Sequence, residues 1–260
     1  MPNEAVSNRL LRTLSSADYA KVLERAEHVH LPMHKIVYDS GEPMTHVYFP
    51  NNGVLSMLTV LENGDVIEIA TVGNEGMADL SVFLGLNISN SRLLVQIPVD
   101  AIRIEKETFL ELVADIEGLR VALGHFMVVM FTLVSQSAAC NRLHPLEERA
   151  ARWLLMTHDR VDANDFPITH DFLASMLGVR RPSVTLAAGL LQKAGLIKYS
   201  RGRVTVLDRD ALEASTCECY QIVREQFDAR PGAMVETSRR RLSSGLDAST
   251  RPVKPRGIPD

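Results

Sequence analysis

Residues 169–197 read THDFLASMLGVRRPSVTLAAGLLQKAGLI, and the spacing of their apolar side chains decides the fold around them. Thr169 is a residue type that caps helix N-termini. Phe172, Leu173, Met176 and Leu177 follow at i, i+1, i+4 and i+5, and Gly178 supplies the stop. After the short turn Gly178-Val179-Arg180 a second helix opens near Arg181-Pro182. It buries Val184, Ala187, Ala188 and Leu191 and leaves Arg181, Ser183, Thr185 and Leu186 near its exposed N-terminal face. Two short helices joined by a Gly-containing turn are the helix-turn-helix unit, whose second helix can enter the major groove. Gly195-Leu196-Ile197 ends that helix, and β-rich runs at 197–200 and 203–207 around Arg201-Gly202 make a hairpin, or wing.

Charge is distributed unevenly around this segment. The 260 residues hold 28 Lys and Arg against 32 Asp and Glu, a formal net charge of −4. Residues 1–150 carry a net −8, residues 151–228 zero and residues 229–260 +4. Residues 172–207 contain no acid, yet hold Arg180, Arg181, Lys193, Lys198, Arg201 and Arg203. Such a patch suits a polyanion, since each neutralised phosphate releases counterions. A charge run is otherwise an ordinary solvated face, but that reading gives no reason to put cations on the second helix and the wing tip alike. An apolar content of 46% with so small a net charge excludes wholesale disorder. Cys140, Cys217 and Cys219 are too few and too badly spaced for a disulfide framework, and the first residues hold no apolar run of signal-peptide length. Both point to a reducing, cytoplasmic setting.

Working outward, residues 10–27 read as a short amphipathic helix started by Ser15, Ser16 and Asp18. Short β-rich runs follow at 35–38, 47–49, 53–60, 66–71, 92–97 and 101–104, punctuated by turn signals such as Asn51-Asn52-Gly53 and Glu62-Asn63-Gly64-Asp65. The expected fold class is α+β, opening with an antiparallel β-roll of jelly-roll type. Residues 106–115 are helical by spacing, and 121–140, VALGHFMVVMFTLVSQSAAC, contain no formal charge. That run is long enough to span a bilayer, but His125, Thr132, Ser135, Gln136 and Ser137 are costly in lipid. A helix apolar nearly all round is buried on several sides, by its own domain and by something else. The expectation is a dimer-seam helix, with Leu119, Leu123, Phe126, Met127, Met130, Leu133, Val134 and Ser137 on its stripes, and no membrane partner. His144-Pro145 then punctuates the chain, Leu146 opens a new helix, and 159–167 read as loop. The expected domains are 1–115 (β-roll), 116–143 (dimer helix), 144–228 (winged helix-turn-helix) and 229–260, a disordered basic tail.

The 169–197 string closely resembles the winged helix-turn-helix of the Crp/Fnr superfamily of bacterial transcription regulators, and the order of parts matches over about residues 10–225. The resemblance implies a cyclic-nucleotide-binding-like β-roll and a homodimer on a two-fold symmetric operator of double-stranded DNA, with RNA polymerase as a further candidate partner. It makes Arg181 the guanine-reading arginine of the recognition helix, flanked by Arg180, Ser183 and Thr185, with Thr169 and His170 on phosphate. Arg201 and Arg203 at the wing tip would meet the backbone. Pro182 and Leu186 stand where many members carry a Glu and an Arg, so the operator departs from the family's common consensus and Leu186 can meet a thymine methyl.

The effector-pocket candidates are Gly73, Glu75, Gly76, Met77, Ser91 and Arg92. Cyclic-nucleotide binders carry a Gly-Glu pair and an Arg followed by a small residue; here Gly76 precedes Met77, Glu75 is one residue early, and Arg92 is displaced by about one position. A one-residue shift turns a strand side chain to the other face, which argues against cyclic AMP or GMP. No cysteine lies in the β-roll or the N-terminus to hold an iron–sulfur cluster. Cys217-Glu218-Cys219 lacks a second pair nearby in sequence, so no metal is expected. No Walker A loop, G-x-S-x-G or H-E-x-x-H occurs to support an enzyme. The other reading left open is a ligand-binding or interaction module whose C-terminal domain docks protein. Effector identity, and activation versus repression, stay open.

Overall fold

The computed structural model describes residues 7–161 and 163–229; the expected tail from residue 230 onward lies outside them. A 3-10 turn at Leu11–Thr13 precedes α1 (Ser16–Glu24), whose start the Asp18 amide fixes by donating to Ser15 Oγ at 3.1 Å. Then come β1 (Glu27–Leu31), β2 (Ile36–Tyr38), β3 (His46–Pro50), β4 (Val54–Val60) and β5 (Val66–Val72). A short α2 (Leu80–Phe83), β6 (Arg92–Ile97) and β7 (Val99–Glu105) complete the roll. Two antiparallel sheets result, ordered β1-β7-β3 and β2-β6-β4-β5, with Leu31, Tyr38, Leu55, Leu93 and Val95 packed together in one core cluster. The turn between β3 and β4 demands glycine. Gly53 has φ +74° and no room for a Cβ, which would lie 2.0 Å from the Pro98 carbonyl oxygen. β1 is missing from the sequence-based runs because EHVHL alternates over only two apolar residues, Val29 and Leu31, too few to stand out.

Helices α3 (Lys106–Asp115) and α4 (Glu117–Leu143) leave the roll, and α5 (Leu146–His158) starts behind Pro145 with Glu147 and Glu148 in its first turn, where the helix dipole favours acids. After β8 (Asp165–Pro167) come α6 (His170–Leu177), α7 (Arg181–Lys193), β9 (Ile197–Ser200), β10 (Arg203–Val206), α8 (Arg209–Ala214) and α9 (Glu218–Asp228). The expected loop 159–167 therefore ends in a strand: β8 pairs with β10 and buries Phe166, giving a three-stranded sheet ordered β8-β10-β9. Three residues with one buried side chain are too short for a period to show.

One continuous core joins the roll to the C-terminal elements, from Leu10 through Phe126 and Trp153 to Val223. α4 divides the residues expected on the seam. Leu119, Leu123, Phe126, Met130 and Leu133 are buried against this protomer's own elements, Met127 and Ser137 are half-buried, and Val134 is exposed. The five buried residues thus serve the intrachain core. The outward stripe of α4 is Val121, Val128 and Phe131, the last 74% exposed. Periodicity marked α4 as apolar on more than one side but could not say which stripe faces home.

Candidate nucleic-acid interface and effector pocket

Thr169 caps α6 by accepting from the Phe172 amide at 3.1 Å, and Gly178 ends it in the left-handed region with φ +63°. α7 begins at Arg181 with Pro182 in its first turn and turns Val184, Ala187, Ala188 and Leu191 inward. Arg180, Arg181, Thr185 and Leu186 are exposed, Ser183 is half-buried, and Leu186 at 73% exposure projects an apolar surface with no intrachain cover. The recognition-helix residues read from the sequence thus share one accessible N-terminal face.

That face is not free of acid. Asp171, one residue outside the acid-free stretch, approaches Arg181 Nε at 3.5 Å, and both are more than half exposed. His170 does not point outward alone: its Nδ1 lies 3.0 Å from Thr185 Oγ1, and its ring packs against Tyr199, tilted by 49°, with centroids 4.2 Å apart. Burial and the neighbouring Arg181 charge lower the His170 pKa, which favours a neutral imidazole joining α6 to α7. At the wing, Arg201 (φ +50°) and Gly202 (φ +74°) form a two-residue turn whose left-handed pair matches the twist of β9 and β10. Arg201 is exposed. Arg203 instead pairs with Asp165 of β8, its Nε 2.7 Å from the carboxylate, and this holds the Asp165 carboxyl below its usual range. Sequence reasoning missed that pairing because it read Asp165 as loop.

Of the effector-pocket candidates, Gly73, Glu75 and Gly76 pack against Phe126 of α4 and Arg160 just beyond α5. A Cβ on Gly76 would sit 1.9 Å from Phe126 Cζ, and one on Gly73 would sit 2.5 Å from Arg160 Cγ. Met77 is buried. Glu75 and Arg160 are each 5% exposed; Arg160 Nε and its terminal nitrogen donate to one Glu75 oxygen at 2.9 and 2.7 Å. Arg92 lies apart from them, in a two-pronged pair with Asp39 at 3.1 and 2.6 Å, and Ser91 is held by a local turn with Ser89. Glu68 on β5 is half-buried, accepting from Ser56 Oγ at 2.8 Å and Trp153 Nε1 at 2.7 Å, and desolvation pushes its pKa up to about 7. Sequence reasoning did not single out Glu68, Arg160 or Trp153. A separation of 85 positions between Glu75 and Arg160 leaves no local signal of their pairing.

The structure also gathers Cys140, His144, Cys217 and Cys219, with their potential ligand atoms all within 4.8 Å of one another. The absence of a metal pair was read from sequence spacing alone, and spacing across 77 residues shows no such grouping.

Comparison with known proteins agrees with this layout. A cyclic nucleotide-binding domain model matches residues 28–115, and a Crp-like helix-turn-helix domain model matches residues 148–215. No curated relative matches the sequence. Among solved structures, a putative Crp/Fnr-family transcriptional regulator from Eubacterium rectale is similar at 22% identity and TM-score 0.61, covering 79% of this chain and 96% of its own. The c-di-GMP responsive global regulator CLP of Xanthomonas campestris is 15% identical over 74% of this chain and 99% of its own, at TM-score 0.61. FixK2 of Bradyrhizobium japonicum is 14% identical over 74% and 98%, at TM-score 0.62. Carrying both domains in this order on this architecture, the chain belongs to the Crp/Fnr family of transcription regulators.

Proposed function

We propose that the chain is a homodimeric, sequence-specific DNA-binding regulator whose effector site has departed from cyclic-nucleotide recognition. The observation that carries the DNA reading is the accessible α7 N-terminus, with Arg180 and Arg181 exposed on it and a further cation, Arg201, exposed at the wing tip. A guanidinium there can make the bidentate contact to guanine O6 and N7, and exposed Leu186 can pack on a thymine methyl. Thr169 and Arg201 flank the helix as phosphate contacts. His170, tied to Thr185 and Tyr199, serves mainly to set the angle between the two helices.

A second copy of the chain supplies the cover for α4. Val121, Gly124, Val128, Phe131, Ser135 and Ala138 recur at three- and four-residue spacing on one side, apolar or small throughout. Paired α4 helices would place two α7 helices on a two-fold symmetric operator, about 34–36 Å apart. RNA polymerase as a further partner and a cytoplasmic setting follow from the same reading.

Three local structures support the departure of the effector site: the Phe126 ring against Gly76, the Glu75 carboxylate held by Arg160, and the Arg92 guanidinium held by Asp39. Each group that resemblance would assign to a sugar or phosphate is already engaged within the chain. The test is a gel-shift selection from random duplexes with the purified protein, with and without cyclic AMP. A recovered palindromic site, bound equally in both conditions, is the expected result. Recovery of no preferred sequence overturns the DNA reading, and a requirement for the nucleotide overturns the pocket reading.

A further inference from the structure

Cys140 and His144 lie four residues apart, one on the last turn of α4 and the other at its C-cap, while Cys217 and Cys219 flank the start of α9. Cys140 Sγ stands 3.5 Å from Cys217 Sγ, and Cys219 Sγ stands 3.6 Å from His144 Nδ1. All three thiols are free and buried, and they form a small cluster of their own beside the main core. We propose that Cys140, His144, Cys217 and Cys219 bind one zinc ion.

The geometry selects the metal. A tetrahedron with zinc–sulfur bonds of about 2.3 Å has edges of roughly 3.7 Å, close to the two separations just given and inside the 4.8 Å that bounds all four atoms. Three thiolates and one imidazole are a closed structural set for zinc, with no position left for water. An iron–sulfur cluster needs its ligands on different irons, hence farther apart than a group drawn this close. Binding is an exchange without redox change: three S–H bonds give their protons to solvent as three S–Zn bonds form, and the neutral imidazole adds its lone pair.

The surroundings complete the site. With Nδ1 toward the sulfurs, His144 turns Nε2 to the Glu218 carboxylate at 3.4 Å, the arrangement that fixes a ligating imidazole and raises its basicity. Three thiolates around a divalent ion leave one negative charge. The buried guanidinium of Arg149 lies within electrostatic reach of Cys140, and its Nε has no hydrogen-bond partner among the described residues. The ion would staple α9 to the point where α4 passes through His144-Pro145 into α5. At the far end of α9, Phe227 lies 6.5 Å from Phe126 and under the Arg160 guanidinium at 5.4 Å. One helix thus spans from the metal ligands to the effector pocket.

The full-length protein, purified under reductant, is assayed for metal content, then stripped with a chelator and titrated with Co(II) followed by Zn(II). One zinc per chain as isolated is expected. One equivalent of Co(II) should develop thiolate-to-metal charge transfer and the strong visible absorption of a tetrahedral site, and one equivalent of Zn(II) should bleach both. Weak, octahedral-type Co(II) absorption, sulfide-bearing iron, or a Cys140–Cys217 disulfide in the reduced preparation would each overturn the site. Glu218 is 69% exposed at its side chain, so Glu218→Gln should fold; it is expected to weaken zinc binding about 10–100-fold, and unchanged affinity removes Glu218 from the site. Cys219→Ser leaves the Cys140 and Cys217 thiolates in place and should lower the charge-transfer intensity by about a third and weaken metal binding; unchanged intensity and affinity overturn the ligand set. None of these readouts involves DNA, so a failure here leaves the regulatory reading standing.

Discussion

Phe126 of α4 occupies the space that a side chain on Gly76 would need, its ring tip 1.9 Å from where a Cβ would lie. The helix whose outer stripe of Val121, Val128 and Phe131 is exposed thereby closes the loop that follows β5. Gly76→Ala should cost roughly 1–3 kcal/mol by overpacking, read as a fall in the urea midpoint. Phe126→Leu in the same chain makes room and should recover part of that loss, so the two changes should be non-additive. Full additivity would separate the two residues.

Arg160 and Glu75 form a pair withdrawn from water, and such pairs are more costly to break than to replace. Arg160→Met alone leaves a buried carboxylate uncompensated and should destabilise by about 3–5 kcal/mol. Adding Glu75→Gln should return much of that loss. Equilibrium denaturation of the two single variants and the double variant measures the coupling.

Glu68 makes stability depend on pH. Burial is the largest cause of its rise from 4.5 to about 7, with Ser56, Trp153, Arg160 and Arg152 opposing it. The native state therefore keeps the proton longer than the unfolded chain. The stabilisation is fully present below about pH 4.5 and is lost as pH rises through about 7. Asp79, also raised to about 7 by burial, acts in the same direction. Glu68→Gln should flatten the part of the decline due to Glu68, on the order of 1–3 kcal/mol, and thermal melts from pH 5 to 8 check the slope. An unchanged slope would place the titration elsewhere.

Asp171 lies 3.5 Å from Arg181 Nε and partly offsets its charge. Asp171→Asn should raise affinity for any duplex slightly without changing which sequence is preferred, because it removes a charge and no base contact. Arg201→Ala should weaken all duplexes alike and reduce the salt slope by about 1. Competition titrations at several salt concentrations distinguish the two effects.

How much of this was legible beforehand varied with the range of the interaction involved. The cap at Thr169, the stop at Gly178 and the inward set from Val184 to Leu191 are local rules, and the structure follows them. The six β-rich runs correspond to β2–β7 for the same reason. β8 was too short to show a period, and the inward stripe of α4 depended on a partner surface that no single helix encodes. Glu75 with Arg160, Arg203 with Asp165, and Cys140 with Cys217 are pairs made by topology. Each member looked ordinary in its own neighbourhood of sequence.

The claim on which the rest depends is that paired copies of α7 read DNA through Arg181. The most direct measurement is footprinting on a selected operator, with wild type and Arg181→Ala compared at equal salt and the mass of the complex determined alongside. Two protected half-sites about 10 base pairs apart under a dimer are expected, with Arg181→Ala losing roughly 1–3 kcal/mol and its preference at one base pair in each half. A monomer on the duplex, or Arg181→Ala binding with undiminished affinity and selectivity, would contradict it.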